Sequence, residues 1–426
     1  MYLKSPIPGP TYIIKFLHID QKYAEEFKNL TASLLPANIA FWKKDRPFIE
    51  SMRQGCHTLI IDPMTHAFTY PGYLDKQTYR KLPYAPPQPL SANILLSDPG
   101  KLKDFTNKVL IFQKEMGAGV FVAPYFYTRD LDDARLIANL RMVQEAAQFL
   151  SQLGQKLPLY AWICIGAVVM QSPTQVNEIA RLYCELPVKG YMITVEDFDD
   201  RFVNAEALMG LTRLLQRLKD GKDVIVCSIA SFGQVLTAFG ANGFSAGIGW
   251  LETFREATLQ PGRPAFAADR IPRARYYYLP ELLSYIHPDD LEAIFDEKTG
   301  SDIMRDDYKC QCEVCIHCPK GFAESVKDKK RHFIIRRQQE MKELSEIAPD
   351  KRPQFMRDRI KLALELANII EEEMLIRIPT EHFVRWIAII DALSSSSNNP
   401  SNDSSQSNID KIIQEARRNT RDKGSS

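Results

Sequence analysis

Cys310, Cys312, Cys315 and Cys318 fall within nine residues, and His332 follows in the run Lys329-Lys330-Arg331-His332-Phe333. Thiolates and imidazoles are the donors that zinc prefers, and packing alone rarely brings cysteines together at this density. The spacing predicts a structural zinc knot with Cys310, Cys312, Cys315 and His332 as ligands. Cys318 competes with His332 for the fourth place, and a four-cysteine set also suits an iron–sulfur cluster. Either way four protein ligands leave no open position, so the metal holds structure and takes no part in a reaction.

A second set of candidates sits where apolar runs end. Asp62 follows Thr58-Leu-Ile-Ile directly, a place where an ionised group is expensive unless it works at the surface of a pocket. Glu196, Asp197, Asp199 and Asp200 form an acidic cluster after another run. Asp62 and Glu196, facing each other across a cleft, would suit nucleophile and general acid/base roles. The plainer alternative for the 196–200 cluster is helix capping and solvated loop charge.

The elements that must position these residues follow a regular rhythm. Apolar runs of strand length at 57–62, 120–125, 157–166, 190–196, 223–230 and 244–250 alternate with helical periodicity at 100–116, 131–153, 174–184, 204–219 and 233–240. Such near-continuous apolar strands belong to a parallel sheet covered on both faces. With a strand at 11–18 and another near 275–279, the count approaches eight and predicts a (β/α)8 barrel of the TIM type. Residues 21–34 carry a helical pattern. A doubly wound open sheet is the alternative, but no Gly-x-Gly-x-x-Gly follows an early strand. The expected organisation is a barrel over 1–300, a zinc-binding segment over 301–347, a C-terminal helical cap over 348–393, and a flexible linker and tail over 394–426.

Composition narrows the setting. The chain has 426 residues, 45% hydrophobic and 25% charged, with a formal net charge of +1. A neutral whole excludes polyelectrolyte behaviour, so any nucleic-acid surface must be local. Neither a secretory leader nor a membrane-length apolar run is present, which predicts a cytoplasmic protein whose thiols stay reduced. Cys56, Cys164, Cys184 and Cys227 are scattered singly and read as inert.

At this point the residues resemble a known family. Cys-x-Cys-x-x-Cys with a histidine opening His332-Phe-Ile-Ile-Arg-Arg-Gln-Gln-Glu-Met is similar to the zinc site of the tRNA-guanine transglycosylase superfamily. The short loop between Cys315 and His332 is similar to its DNA-directed branch. Leu59-Ile-Ile-Asp62 followed by Phe68 resembles the family strand ending in Asp-Ser-Gly-Gly-Phe, with Pro63-Met-Thr-His-Ala67 replacing the glycines. The resemblance implies a barrel enzyme that exchanges guanine in a nucleic acid for a 7-deazaguanine through a carboxylate nucleophile at C1′, with Asp62 contacting the base. The segment Ser228 to Ser245 is similar in layout to the one carrying the family nucleophile, whose aspartate then falls on Ser245. Three explanations stay open: a shifted register, another carboxylate (Glu196, Asp197, Asp199 or Glu252), or a non-catalytic member. Phe68, Tyr125, Gly166 and Ser245 are expected substrate contacts.

Two basic stretches bear on partners. Lys309, Lys320, Lys327, Lys329, Lys330, Arg331, Arg336 and Arg337 surround the zinc knot and would bind phosphate, unless Glu324, Asp328, Glu340 and Glu343 balance them. Arginines across 263–275 precede Tyr276-Tyr-Tyr278, an interleaving suited to base stacking, or a strand packed on both faces. DNA is favoured over tRNA because no tRNA-binding domain is visible after the barrel. A homodimer, or a catalytic homologue as partner subunit, is the interaction expected of a non-catalytic chain; no membrane is implicated.

Overall fold

Runs such as Leu159–Ile165 and Gly190–Val195 are buried at every residue, the condition that parallel strands covered on both faces impose. The computed structural model describes residues 5–17, 20–27, 30–42, 47–248, 253–259 and 276–397. Glu252, the basic stretch 263–275, the end of the run at 244–250 and residues 398–426 lie outside the described residues. These described residues divide into two compact units, one drawn from Met1–Phe198 and Gly210–Ile271, the other from Asp199–Met209 and Pro272–Ser426.

The first unit is a nearly closed barrel of eight parallel strands. They are β1 (Thr11–Lys15), β2 (Leu30–Pro36), β3 (Cys56–Asp62), β4 (Phe121–Val122), β5 (Leu159–Ile165), β6 (Gly190–Val195), β7 (Asp223–Cys227) and β8 (Gly243–Ala246). The ladder runs β3-β2-β1-β8-β7-β6-β5-β4. Its two ends meet where Ile60 bridges Val120 and the Gly119 N–H donates to the Leu59 carbonyl at 2.8 Å. Helices Pro99–Glu115, Ala134–Gln152, Pro173–Cys184, Ala205–Leu218 and Phe232–Ala238 alternate with the later strands. Asp98, Asp133 and Ser172 cap the first three by accepting from Lys101, Arg135 and Gln175 backbone N–H groups. Alternate residues fill the interior: Ile13, Leu34, Ile60, Val122, Trp162, Met192 and Ile225 lie in one cluster. The barrel is therefore a packed core with a mouth, as its strand count requires.

Three expectations need correction. The helical pattern over 21–34 covers a short helix, Gln21–Glu26, and then β2, which pairs with β1 and β3. The run at 275–279 is not a barrel strand: Tyr277–Leu279 (β9) pairs antiparallel with Ser284–Ile286 (β10) in a separate two-stranded sheet. The strand expected over 120–125 keeps ladder geometry for two residues. Beyond it side chains satisfy the backbone instead: Thr65 Oγ1 donates to the Tyr125 carbonyl at 2.7 Å and accepts from its N–H at 2.8 Å. Asn139 does the same for Phe126, at 2.9 and 2.7 Å. Buried backbone groups are paired here, but by loops and a helix and not by a neighbouring strand.

The second unit is built on helices Val326–Glu346, Arg352–Met374 and Glu381–Ser397, around the β9–β10 hairpin. Ser325 caps the first by accepting from the Asp328 N–H, and helix Glu381–Ser397 runs into the first serines of the expected linker. Leu279, Leu282, Ile286, Leu291, Ile294, Leu366 and Ile370 form its core, with Cys310, Cys312 and Cys315 embedded in the same cluster. Glu340 is buried and takes three bonds: from the Tyr278 hydroxyl at 2.9 Å, from Arg337 at 3.2 Å and from Arg359 at 2.5 Å. The Arg337 guanidinium also lies 4.3 Å from the centre of the Tyr278 ring. The consecutive tyrosines are thus a strand packing both faces. Replacing Glu340 by alanine should lower the unfolding free energy by about 3–5 kcal/mol, because it strips the shared carboxylate from two cations, one of them 2% exposed. The readout is the urea midpoint, and an unchanged midpoint would show that the network does not hold the unit together.

Candidate active site and metal centre

Parallel strands deliver their C-terminal ends to one face, and there the backbone is strained. Met64, Asp197 and Ser228, just past β3, β6 and β7, are non-glycine residues with φ of 54°, 49° and 57°. Each left-handed residue costs about 1–3 kcal/mol, and such outliers gather at functional sites. At Met64 the strain turns the chain so that its N–H donates to Asp62 Oδ1 at 2.9 Å.

Asp62 is 2% exposed at the end of β3. The Tyr125 hydroxyl donates to the same Oδ1 at 2.9 Å, and the Tyr125 ring stacks on Trp162 with centroids 4.7 Å apart. Glu196, directly after β6, receives the Tyr127 hydroxyl on Oε2 and the Glu256 N–H on Oε1. Burial raises its carboxyl above the ordinary glutamate range, with the hydroxyl from Tyr127 working in the opposite direction. Both carboxylates act on Cys164, whose thiol burial holds well above its usual range. Each carboxylate is therefore oriented by its own tyrosine at one end of the barrel.

The remaining candidates separate. Gly166 follows β5, and a Cβ there would stand 2.3 Å from the Arg129 carbonyl and 3.4 Å from the Tyr127 hydroxyl. Its missing side chain lets the Tyr127 segment close against β5. Ser245 faces the interior beside Ile13 and Cys227, 1% exposed, and its hydroxyl has no hydrogen-bond partner among the described residues. Phe68 is fully buried against Tyr84, which packs in turn on Phe105 and Phe112. Asp197 is exposed and pairs with Arg255 at 3.3 Å. Asp199 belongs to the second unit, where it forks to Arg201 at 2.8 and 2.9 Å.

Residues not singled out in the sequence complete the mouth. His66 lies on the turn Thr65–Thr69, stacked on Tyr125 at 5.1 Å with the edge of Phe254 at 5.5 Å. Phe254 also meets Tyr127 at 5.5 Å. Lys15, last residue of β1, shares the inward side with Ile13 and acts electrostatically on His66. Strand alternation was the signal for Lys15; Phe254 follows no pattern.

In the second unit, Cys310, Cys312, Cys315 and His332 are all buried, and their donor atoms lie within 4.8 Å of one another, a set that could hold a metal ion. The three sulfurs stand 3.6, 3.4 and 3.3 Å from His332 Nδ1. A tetrahedral ion with ordinary zinc–sulfur and zinc–nitrogen bonds needs an edge of about 3.6 Å, so the donors fit. The Nε2–H of His332 donates to the Tyr278 carbonyl at 2.7 Å, which selects the tautomer with Nδ1 as donor to a metal. Tyr277 stacks on the imidazole at 4.2 Å and its hydroxyl reaches Cys315 Sγ at 3.3 Å. Cys318 lies outside the set, its Sγ–H donating to the Val314 carbonyl at 3.3 Å.

The cluster's charges are coupled. Hydrogen bonds from Cys310 and Cys315 hold Cys312 far below an ordinary thiol, and Cys315, on the other side of its contacts with Cys310 and Cys312, is pushed far above. Burial works to lower His332, but the sulfurs of Cys310 and Cys312 carry it up to about 9. A cation is the natural replacement for protons shared among sulfurs this close.

The surrounding basic run is largely occupied. Lys320 pairs with Glu292 at 2.7 Å and Glu324 at 3.5 Å, Arg331 with Asp328 at 3.7 Å, Arg336 with Glu281 at 3.1 Å and Arg337 with Glu340 at 3.2 Å. Lys309 and Lys327 are exposed, whereas Lys329 and Lys330 are buried. Among the described residues no helix is long and apolar enough to cross a membrane. Compared with known proteins, the chain matches no family model and no curated sequence.

Replacing Cys312 by serine should abolish metal binding and lower the melting temperature together, because the ligands sit inside the core cluster. Metal content by mass spectrometry and a thermal melt check this; a variant that loses metal yet melts like the parent would show the cluster to be dispensable for the fold.

Proposed function

We propose that the chain is a base-exchange transglycosylase that replaces guanine in a nucleic acid, DNA in preference to tRNA, with a 7-deazaguanine derivative, and that a structural zinc ion fills the cysteine–histidine cluster. The observation that carries this reading is the matched pair Asp62–Tyr125 and Glu196–Tyr127, two carboxylates oriented separately at one barrel mouth. Two titratable groups in different surroundings suit a nucleophile and an acid/base partner.

In this reaction Glu196, as carboxylate, attacks C1′ and forms an ester to the sugar while the C1′–N9 bond breaks. Asp62, as the acid, supplies a proton to the departing guanine and takes one back from N9 of the incoming base. That nitrogen then attacks C1′ and releases Glu196. Tyr127 fixes the direction of attack, and Tyr125 fixes Asp62. The closed zinc set would hold the second unit and take no part in these steps.

A second reading is favoured by Ser245. A buried serine stands where the resemblance places a nucleophilic aspartate, and no base lies within hydrogen-bond distance of its hydroxyl among the described residues. A chain of this kind would bind nucleic acid or pair with a catalytic homologue.

Incubation with DNA and with tRNA should give a denaturation-resistant adduct and incorporation of labelled guanine. Glu196→Gln should reduce both by at least about 10³-fold, and Asp62→Ala should also abolish exchange. Because burial raises Glu196, the acidic limb of the rate lies above the ordinary glutamate range: activity is lost as pH falls through that value and the nucleophile is protonated. If neither nucleic acid gives adduct or exchange, the enzyme reading falls, and recovery on adding a partner would favour the second.

A further inference from the structure

The barrel mouth holds a polar side chain that the proposed reaction leaves without a task. His66 is 5% exposed, and its Nδ1 is fully buried with no hydrogen-bond partner among the described residues. Its ring is clamped by the face of Tyr125 and the edge of Phe254, the aromatics that adjoin the tyrosine partners of Asp62 and Glu196. Buried polar atoms are nearly always satisfied, so an orphan inside an aromatic cleft points to a partner that arrives with the ligand.

The form of that partner follows from charge. Burial, then the nearby Lys15 ammonium, push His66 down to about 3, so the imidazole is neutral at physiological pH and presents one N–H donor and one acceptor. An N–H donor near a lysine matches an edge with two acceptors side by side. Among bases, guanine alone offers that edge, through O6 and N7. A 7-deazaguanine retains O6 and has carbon in place of N7.

We propose that His66 and Lys15 read the acceptor edge of the base in the barrel mouth, His66 donating to N7 and Lys15 to O6, so that the departing guanine is distinguished from its 7-deaza replacement. This deepens the base-exchange reading and rests on it. His66 is then a specificity residue that holds guanine in place for attack at C1′ and loses its grip once the 7-deaza base has taken guanine's place. Product release follows without a separate device.

Equilibrium dialysis of the full chain with labelled guanine and with unsubstituted 7-deazaguanine tests this independently of turnover. The parent should bind guanine about 10- to 100-fold more tightly than 7-deazaguanine, the difference one buried hydrogen bond supplies. His66→Phe, which keeps the aromatic clamp, should bring the two affinities within about twofold, and His66→Asn, which keeps an N–H donor, should restore part of the preference. Lys15→Met should weaken both bases alike, because both carry O6, and stands as the independent arm if the phenylalanine variant fails to fold. A preference that survives His66→Phe, a parent without preference, or Lys15→Met leaving both affinities unchanged would overturn the assignment. Preference for guanine in a chain that forms no adduct would sustain His66 and Lys15 as the base-reading pair while removing the exchange reaction.

Discussion

Eight strands running the same way bring their C-terminal ends to one face of the barrel, and each of the chemically capable residues of the first unit depends on that alignment. Asp62 ends β3, Lys15 ends β1, and Glu196 directly follows β6. None is close to another in sequence. Closure through one bridge between Ile60 and Val120 makes them neighbours across a mouth instead of points along an edge. Parallel pairing leaves the loops to finish the construction, and here they do so with side chains: Thr65 and Asn139 hold the 125–126 backbone that carries Tyr125 and leads to Tyr127.

The mouth separates its two carboxylates by environment as well as by place. Asp62 receives a hydroxyl and a backbone N–H on one oxygen, whereas Glu196 is half-buried and shifted upward by desolvation. A cleft that treats two like groups differently has the asymmetry that stepwise proton and group transfer needs. The left-handed backbone at Met64, Asp197 and Ser228 marks the same face without reference to any side-chain chemistry.

Local features were legible in the sequence, and distant ones were not. The metal ligands could be read because three sit within six residues and the fourth opens a helix-forming run, and the structure gathers those four and leaves Cys318 aside. The barrel could be read because doubly buried strands are apolar throughout. That same property hid β2: Leu30-Thr-Ala-Ser-Leu-Leu-Pro does not alternate, and its leucines fall at a spacing that also suits a helix. The brevity of β4 was invisible because it depends on Thr65 and Asn139, remote in sequence. The basic run looked like a phosphate surface because its acidic partners, Glu281 and Glu292 among them, come from other segments.

The short strand β9 joins two parts of the second unit that would otherwise be separate. Tyr277 leans on the metal cluster, and the next residue, Tyr278, gives its carbonyl to His332 and its hydroxyl to Glu340. Disturbance on one side must be transmitted through a single peptide unit to the other. The second unit is therefore built to open as one block and not to fray piecemeal. A cell short of the metal would find proteolysis spreading over the entire unit, so the abundance of the protein, and not a graded loss of its affinity, would report the metal supply.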